Sequence, residues 1–243
     1  MAPKMDADKQ KMFRAVRNGN IQGVGQLLRR GVSLEALDSD SFSPLNLASH
    51  LGKLELVRFL LDQGAELESQ DCDGYTPLNS ASLAGHVAIV SLLMERGANI
   101  EGKTQRGSTS LYIASQNGHL AIVDLLLCNG ADIGAQIQGG FTSLYVASQN
   151  GHLDIVKLLI ARGADKETRT RRGATPLLVA CEENKSEIVN YLLSEGADPT
   201  VVTIVDNKCC LHLASDVSVI QSLLDHGSKR PANESPLPAT VCE

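Results

Sequence analysis

Glycine recurs in this chain at a fixed step of 33 residues, and this repetition constrains the fold more than any other feature of the sequence. The first series consists of Gly31, Gly64, Gly97, Gly130, Gly163 and Gly196. A second series at the same step consists of Gly19, Gly52, Gly85, Gly118, Gly151 and, in the last place, Asn184. Asn is the best substitute for Gly where the backbone is left-handed, so we expect that conformation at Asn184. One repeat has therefore been copied along the chain.

Within one repeat, 71–103, the order of the residues predicts two short helices. Thr76 can accept a hydrogen bond from a free backbone N–H, and Pro77 suits the first position of a helix. A first helix should therefore begin there and end at Gly85. The stretch 87–96 has a broader apolar face and predicts a second helix. The polar remainder should project as a loop or a narrow hairpin.

This order of residues resembles the ankyrin repeat. The family's run Gly-x-Thr-Pro-Leu-His-x-Ala, then Gly-His, then Ile-Val-x-Leu-Leu-Leu, then Gly-Ala-Asp recurs in register along the chain. In one repeat it reads Gly74-Tyr75-Thr76-Pro77-Leu78-Asn79-Ser80-Ala81, Gly85-His86, Ile89-Val90-Ser91-Leu92-Leu93-Met94 and Gly97-Ala98-Asn99. The resemblance implies an all-α fold, an ankyrin-repeat solenoid of stacked helix-turn-helix units with projecting loops or short hairpins.

Five full repeats and two irregular ends are expected. The full repeats are 38–70, 71–103, 104–136, 137–169 and 170–202. Residues 5–37 carry polar residues at the Thr-Pro entry, as an N-terminal capping repeat requires. The spacing within 203–228 is shorter than in the full repeats, which predicts a truncated C-terminal capping repeat with a shortened helix pair. Residues 229–243 contain three prolines and no apolar period, which predicts a disordered tail.

The net charge of −6 argues against a general attraction to nucleic acid or to an anionic membrane. No apolar run approaches the roughly 20 residues that span a bilayer, and the polar start of the chain lacks the apolar stretch of a secretory signal. We therefore expect a cytoplasmic or nuclear protein that is monomeric by itself.

Neither the cysteines nor the histidines predict a catalytic or metal site. The cysteines are Cys72, Cys128, Cys181, Cys209, Cys210 and Cys242, and they lack the paired spacing of zinc ligands. We expect ordinary thiols, with vicinal Cys209 and Cys210 as the one pair worth testing for redox sensitivity. His86, His119 and His152 recur at the repeat step, whereas catalysis needs unlike groups at one point. We expect them to hydrogen-bond the loop of each repeat, and we predict no enzyme activity and no cofactor.

The resemblance implies a binding face, because ankyrin proteins typically bind partners with their loop tips and the exposed end of helix one, which together form a concave surface. The residues at those places are Phe42, Leu51, Tyr75, Leu83, Arg106, Gln116, Asn117, Phe141, Gln149, Asn150, Arg171, Arg172, Glu182 and Glu183. We expect another protein or an extended peptide as the partner. The chain would then be an adaptor, scaffold or inhibitor; the alternative is a structural spacer within a larger polypeptide.

Two features of the tips bear on this face. Aromatic side chains recur at Phe42, Tyr75 and Phe141 in a chain with only 3% aromatic residues, and they either anchor a partner or pack against neighbouring loops. The charge of the tip residues also changes sign along the chain. The acidic ones are Asp38, Asp40, Asp71 and Asp73, and the basic ones are Lys103, Arg106, Arg169, Arg171 and Arg172. This polarity either orients a partner or is simply solvated.

The chain departs from the family pattern at two positions. The motif His is replaced by Asn46, Asn79, Tyr112, Tyr145 and Leu178, and it survives only as His212. Asn can keep one of its hydrogen bonds between neighbouring repeats, whereas Tyr can pack instead. The family's Asn that is hydroxylated in some members is replaced by Glu68, Glu101, Gly134, Glu167 and Thr200, so we do not expect that modification.

Overall fold

The computed structural model describes residues 2–205 and 207–226 and divides the chain into two compact units, Met1–Asp132 and Ile133–Glu243. All regular secondary structure in the described residues is helical. The N-terminal unit contains α1 (Ala2–Arg17), α2 (Ile21–Arg29), α3 (Pro44–His50), α4 (Leu54–Asp62), α5 (Pro77–Ala84), α6 (Val87–Glu95), α7 (Ser110–Gln116) and α8 (Leu120–Cys128). The C-terminal unit contains α9 (Ser143–Asn150), α10 (Leu153–Ala161), α11 (Pro176–Glu182), α12 (Ser186–Ser194), α13 (Cys210–Leu213) and α14 (Val217–Asp225).

Each unit is a stack of helix pairs. In the N-terminal unit the first helices pack in the order α1, α3, α5 and α7, and the second helices pack in the order α2, α4, α6 and α8. In the C-terminal unit the corresponding rows are α9, α11 and α13, and α10, α12 and α14. Within each unit every repeat therefore contacts its neighbours in sequence. The expected ankyrin-repeat solenoid is confirmed.

The ends of the first helices follow from local side-chain chemistry. Helix α5 begins after Thr76, whose side chain accepts a hydrogen bond from the Asn79 N–H, and it ends at Gly85 with φ 82°. Ser43, Thr109, Thr142 and Thr175 cap the other full-length first helices in the same way. Asn184, in the place of that glycine, has φ 51°, so the expected left-handed conformation is confirmed.

The repeated apolar positions form the core of both units. In the N-terminal unit the fully buried members are Ala48, Ala81 and Ala114 in the first helices and Val24, Val57, Val90 and Val123 in the second helices. In the C-terminal unit they are Ala147, Ala180, Val156 and Val189. Small residues on the first helices let the helix pairs approach closely, and the larger residues of the second helices supply most of the buried apolar surface.

The two ends differ from the full repeats. Helix α1 has 16 residues and begins at Ala2, upstream of the expected boundary at residue 5. In the last repeat α13 has only 4 residues, whereas α14 has 9, like the second helices before it. Only the first helix of the final pair is shortened, so the prediction of a shortened pair was wrong for the second. The expected disordered tail, 229–243, lies outside the described residues.

Candidate functional site

Each loop tip is a tight turn closed by backbone hydrogen bonds. The Asp71 N–H donates to the carbonyl of Tyr75 at 3.2 Å. The Asp71 carboxylate in turn accepts from the N–H groups of Asp73 and Tyr75 at 3.0 and 2.8 Å. Asp38 makes the equivalent bonds in the preceding tip and also pairs with Arg17 at 3.1 Å. No strand is assigned at the described tips, which are loops rather than hairpins.

Two of the acidic tip residues therefore have a structural role that the sequence did not reveal. The carboxylates of Asp38 and Asp71 hold the turns together, and the Asp38 side chain is only 5% exposed. Asp40 and Asp73 are exposed and carry the accessible negative charge of these tips. The spacing could have indicated this role, because an Asp side chain in a turn commonly accepts a hydrogen bond from the backbone N–H two residues later.

Neighbouring tips are tied to each other by hydrogen bonds. In the N-terminal unit the Gln105 N–H donates to the carbonyl of Asp73 at 2.9 Å, and its side-chain amide donates to the carbonyl of Cys72 at 2.6 Å. In the C-terminal unit the Arg171 N–H donates to the carbonyl of Gly139 at 2.8 Å. Within each unit these bonds fix the tips before any partner arrives.

The three tip aromatics are half-buried and pack on their surroundings. The Phe42 ring lies 6.1 Å from the His50 ring, and the Phe141 ring meets the Tyr145 ring edge-on at 5.0 Å. Burial raises the pKa of the Tyr75 hydroxyl, and the neighbouring Asp73 and Asp71 carboxylates raise it further. Each of the three residues keeps part of its surface exposed, so the packing leaves area that a partner could cover.

The remaining candidate binding residues divide by unit and by exposure. In the N-terminal unit Arg106, Gln116 and Asn117 are exposed, whereas Leu51 and Leu83 are half-buried. In the C-terminal unit the exposed residues are Asn150, Arg171, Arg172, Glu182 and Glu183, and the half-buried one is Gln149. The structure therefore places charged, amide and apolar groups at the ends of the first helices and at the tips of each unit.

The repeated histidines join neighbouring repeats. His86 Nε2 lies 3.0 Å from the carbonyl oxygen of His50, and His119 Nε2 lies 3.1 Å from that of Leu83. The structural role is as expected, but the partner is the end of the preceding repeat's first helix rather than the loop of the same repeat. The His119 ring covers Gly85, where an added Cβ would meet the ring carbon Cε1 at 2.7 Å.

A series of glutamates also links the repeats, a role that the sequence did not predict. Glu68 Oε1 accepts from the Asn99 N–H at 2.8 Å, and Glu101 Oε1 accepts from the Asp132 N–H at 2.9 Å. Glu35 accepts the equivalent bond from the Glu66 N–H, and in the C-terminal unit Glu167 accepts it from the Asp198 N–H. The recurrence of Glu at the repeat step could have indicated this role. These positions serve as inter-repeat acceptors.

The asparagines that replace the motif His also make hydrogen bonds between repeats. Asn46 Nδ2 donates to the carbonyl of Tyr75 at 2.6 Å, and Asn79 Nδ2 donates to Ser110 Oγ at 2.9 Å. The Tyr112 side chain is buried, and burial raises the pKa of its hydroxyl. The expectations that Asn keeps a bond and that Tyr packs are both confirmed here.

In the described part of the chain, no group of three or more His, Cys, Asp and Glu side chains is arranged to hold a metal ion. Within the same residues, no helix combines the length and the apolar character that crossing a membrane requires.

Comparisons with known proteins agree with this architecture. A family model described as ankyrin repeats (3 copies) matches residues 12–104, 63–137, 111–203 and 144–234. The crystal structure of the human ASB11 ankyrin repeat domain is similar to this chain, with a TM-score of 0.80 and 27% sequence identity over 90% of this chain and 98% of that chain. The comparison with curated proteins gives no match. Ankyrin repeats are generally protein–protein interaction modules, and their fold is typically non-catalytic. This chain belongs to the ankyrin-repeat family.

Proposed function

We propose that this chain is a non-catalytic adaptor, scaffold or inhibitor that binds another protein or an extended peptide through its loop tips and the ends of its first helices. The observation that carries the proposal is the hydrogen bonding between neighbouring tips, such as Gln105 to Asp73 and Cys72. A surface whose backbone is already fixed loses little conformational entropy when a partner docks, so more of the contact energy appears as affinity.

In the N-terminal unit the proposed face combines rings with polar groups. Phe42 and Tyr75 are half-buried, and Asp40 and Asp73 in the same two tips are exposed. Aromatic side chains bury a large area with few rotatable bonds, so partly exposed rings are favoured as anchors. The acidic groups favour a partner segment with basic residues.

In the C-terminal unit the proposed face has a different charge. The exposed tip side chains Arg171 and Arg172 belong to the same repeat as Glu182 and Glu183, at the end of its first helix. Such a surface of both signs favours specificity and docking direction more than raw affinity. With a net charge of −6 for the whole chain, we propose neither nucleic acid nor a membrane as the partner, and we propose a monomer in the cytoplasm or nucleus.

One observation favours a second candidate, a structural spacer within a larger polypeptide. Phe42 and Phe141 pack against ring side chains of their own surroundings, so packing alone would account for their presence. The two functions differ in what removal of the rings does to binding.

The test is an affinity purification from cells, with the parent chain compared to the triple variant Phe42→Ala, Tyr75→Ala and Phe141→Ala. The matched control is Tyr191→Ala, because Tyr191 is also half-buried but lies on the second helix α12, where Lys157 Nζ is 5.9 Å from its ring. We expect the triple variant to lose partners that the parent and the control retain. An unchanged set of partners would argue against the three rings as anchors.

A further inference from the structure

The final tip of the C-terminal unit, 203–208, exposes two large apolar side chains. Ile204 is 73% exposed and Val205 is 76% exposed, more than any other large hydrophobic residue in the described part of the chain. Single exposed apolar side chains are common on protein surfaces, whereas adjacent ones at the end of a loop form a contact surface. This tip therefore carries apolar area that the packing of the C-terminal unit does not use.

The backbone of the final tip is fixed by hydrogen bonds. The Thr203 N–H donates to the carbonyl of Lys208 at 3.0 Å, and the Lys208 N–H donates back to Thr203 Oγ1 at 3.0 Å. The Ile204 N–H donates to the carbonyl of Arg172 in the preceding tip at 2.8 Å. Ile204 and Val205 are therefore presented by a backbone that is held both within its own turn and by its neighbour.

The preceding tip, 170–174, places two cations beside this apolar surface. Arg171 and Arg172 are exposed, and neither guanidinium forms a hydrogen bond or an ion pair with a described residue. The Ile204 side chain adjoins this tip, since a Cβ added to Gly173 would lie 2.8 Å from Ile204 Cγ1. Apolar and basic groups that are both accessible thus lie side by side.

The charge of these two tips is positive. Together they contain three basic residues and one acidic residue, Asp206, in a chain whose net charge is −6. Glu182 and Glu183, the exposed acidic residues of the same repeat, lie at the opposite end of α11, about 10 Å along the helix axis from the tip. Charge complementarity therefore favours a negatively charged partner at the tips themselves.

The tip before these, 137–141, adds another apolar group to the same row. Phe141 is half-buried, and the Arg171 N–H donates to the carbonyl of Gly139 at 2.8 Å. Successive tips of the C-terminal unit therefore carry an apolar, a basic and an apolar group. Packed helices lie about 8–10 Å apart and an extended chain advances about 3.3 Å per residue, so an extended segment crosses one tip about every three residues.

We propose that this row of tips, formed by Phe141, Arg171, Arg172, Ile204 and Val205, binds an extended segment of another protein in which a Glu or Asp lies between two apolar residues. The carboxylate pairs with the guanidinium groups, whose planar fork can bond both of its oxygens. The apolar side chains on either side cover Ile204 and Val205 at one end and the exposed part of Phe141 at the other. This inference rests on the proposed function and names the chemistry of the partner.

The test is the selection of peptides from a random-peptide phage library on the purified full chain, followed by fluorescence anisotropy of the most enriched peptide in labelled form. We expect the enriched sequences to share an acidic residue with an apolar residue on each side, about three residues away. The variant Arg171→Gln with Arg172→Gln and the variant Ile204→Ser with Val205→Ser should each weaken the binding of that peptide about tenfold or more.

Matched controls make the same chemical changes elsewhere in the chain. Arg29→Gln with Arg30→Gln removes two adjacent exposed arginines at the end of α2 in the N-terminal unit. Val217→Ser with Leu224→Ser removes two exposed apolar side chains of α14, in the same repeat as the final tip. Both control chains should bind the peptide as tightly as the parent, and circular dichroism checks that every variant is folded.

Several results would overturn the proposal. They are the absence of any enriched peptide, enriched peptides that are basic or contain no acidic residue, and peptide binding that either tip variant leaves unchanged. A parent dimer that becomes monomeric in Ile204→Ser with Val205→Ser would assign the surface to a second copy of the chain instead. The composition of the peptides selected on the parent decides the question even where a variant does not fold.

The proposed function and this inference fail separately. Selected peptides that require Phe42 or Tyr75, in the N-terminal unit, but bind both tip variants as tightly as the parent would support partner binding by loop tips. The same result would overturn only the assignment of an acidic and apolar segment to the C-terminal row.

Discussion

Three buried serines occupy the same place in successive first helices of the N-terminal unit. The hydroxyls of Ser49, Ser82 and Ser115 are fully buried and have no hydrogen-bond partner among the described residues. At the equivalent place in the C-terminal unit, the Ser148 hydroxyl donates to the carbonyl of Leu144 at 2.8 Å. A buried hydroxyl without a partner costs free energy, so the three serines weaken the unit that contains them.

We therefore expect Ser82→Ala to raise the free energy of unfolding by about 1 kcal/mol, since alanine removes the unsatisfied group and suits a helix better. The matched control is Ser148→Ala, which loses a hydrogen bond and should bring no gain. Urea unfolding of both variants measures the difference. A destabilised Ser82→Ala would show that this hydroxyl has a partner in solution.

The glycine that ends a first helix is disfavoured for replacement by two separate effects, its left-handed backbone and the ring that packs over it. Gly85 has φ 82°, and an added Cβ would meet Cε1 of His119 at 2.7 Å. Gly64 ends a second helix at φ 87° with no atom within 4 Å of the same position. The two glycines therefore separate the cost of the backbone conformation from the cost of displacing the next repeat's histidine.

Gly64→Ala should cost about 1 kcal/mol, the penalty for a side chain in the left-handed region. Gly85→Ala should cost about 1 kcal/mol more, because the displaced His119 ring also loses its bond to the Leu83 carbonyl. Urea unfolding of the two variants side by side provides the measurement. Equal losses would mean that the histidine moves aside without cost.

The second helices carry the larger apolar side chains, and Leu126 in α8 is fully buried. We expect Leu126→Ala to lower the free energy of unfolding by about 2–5 kcal/mol, as large-to-small core changes do. The control in the same helix is Leu120→Ala, because Leu120 is 40% exposed. Denaturant titration measures both, and a loss at Leu126 below about 0.5 kcal/mol would contradict its place in the core.

At the scale of the whole molecule, the last repeat covers apolar helices that would otherwise face water. Helices α13 and α14 pack on α11 and α12, where Val189 and Leu192 are fully buried. A terminal repeat of this kind is needed for solubility in stacked-repeat proteins.

We expect a chain that ends after residue 202 to unfold at a lower temperature and to self-associate, since the uncovered faces of α11 and α12 are apolar. A chain that ends after residue 228 is the control and should match the parent. Thermal unfolding and light scattering after size-exclusion chromatography report the two effects. A monomeric, equally stable 1–202 chain would show that the last repeat is dispensable.

The sequence predicted the features that depend on local chemistry. Thr76 and Gly85 predicted the ends of α5, and the left-handed Asn184 followed from its place in the glycine series. Contacts between repeats were harder to predict, because they join residues far apart in sequence. The bond of His86 to the His50 carbonyl and that of Glu68 to the Asn99 N–H required the structure. The packing of Phe42 and Phe141 depended on the tertiary surroundings in the same way.

The glutamate bonds have a consequence for the evolution of chain length. Glu68 presents to the following repeat the same acceptor that Glu101 presents to the one after it. A tandem duplication of residues 71–103 would therefore create a new junction with the same carboxylate and the same N–H on either side. Such a protein can therefore gain whole repeats by duplication, because each new repeat already carries the groups that bond it to its neighbours.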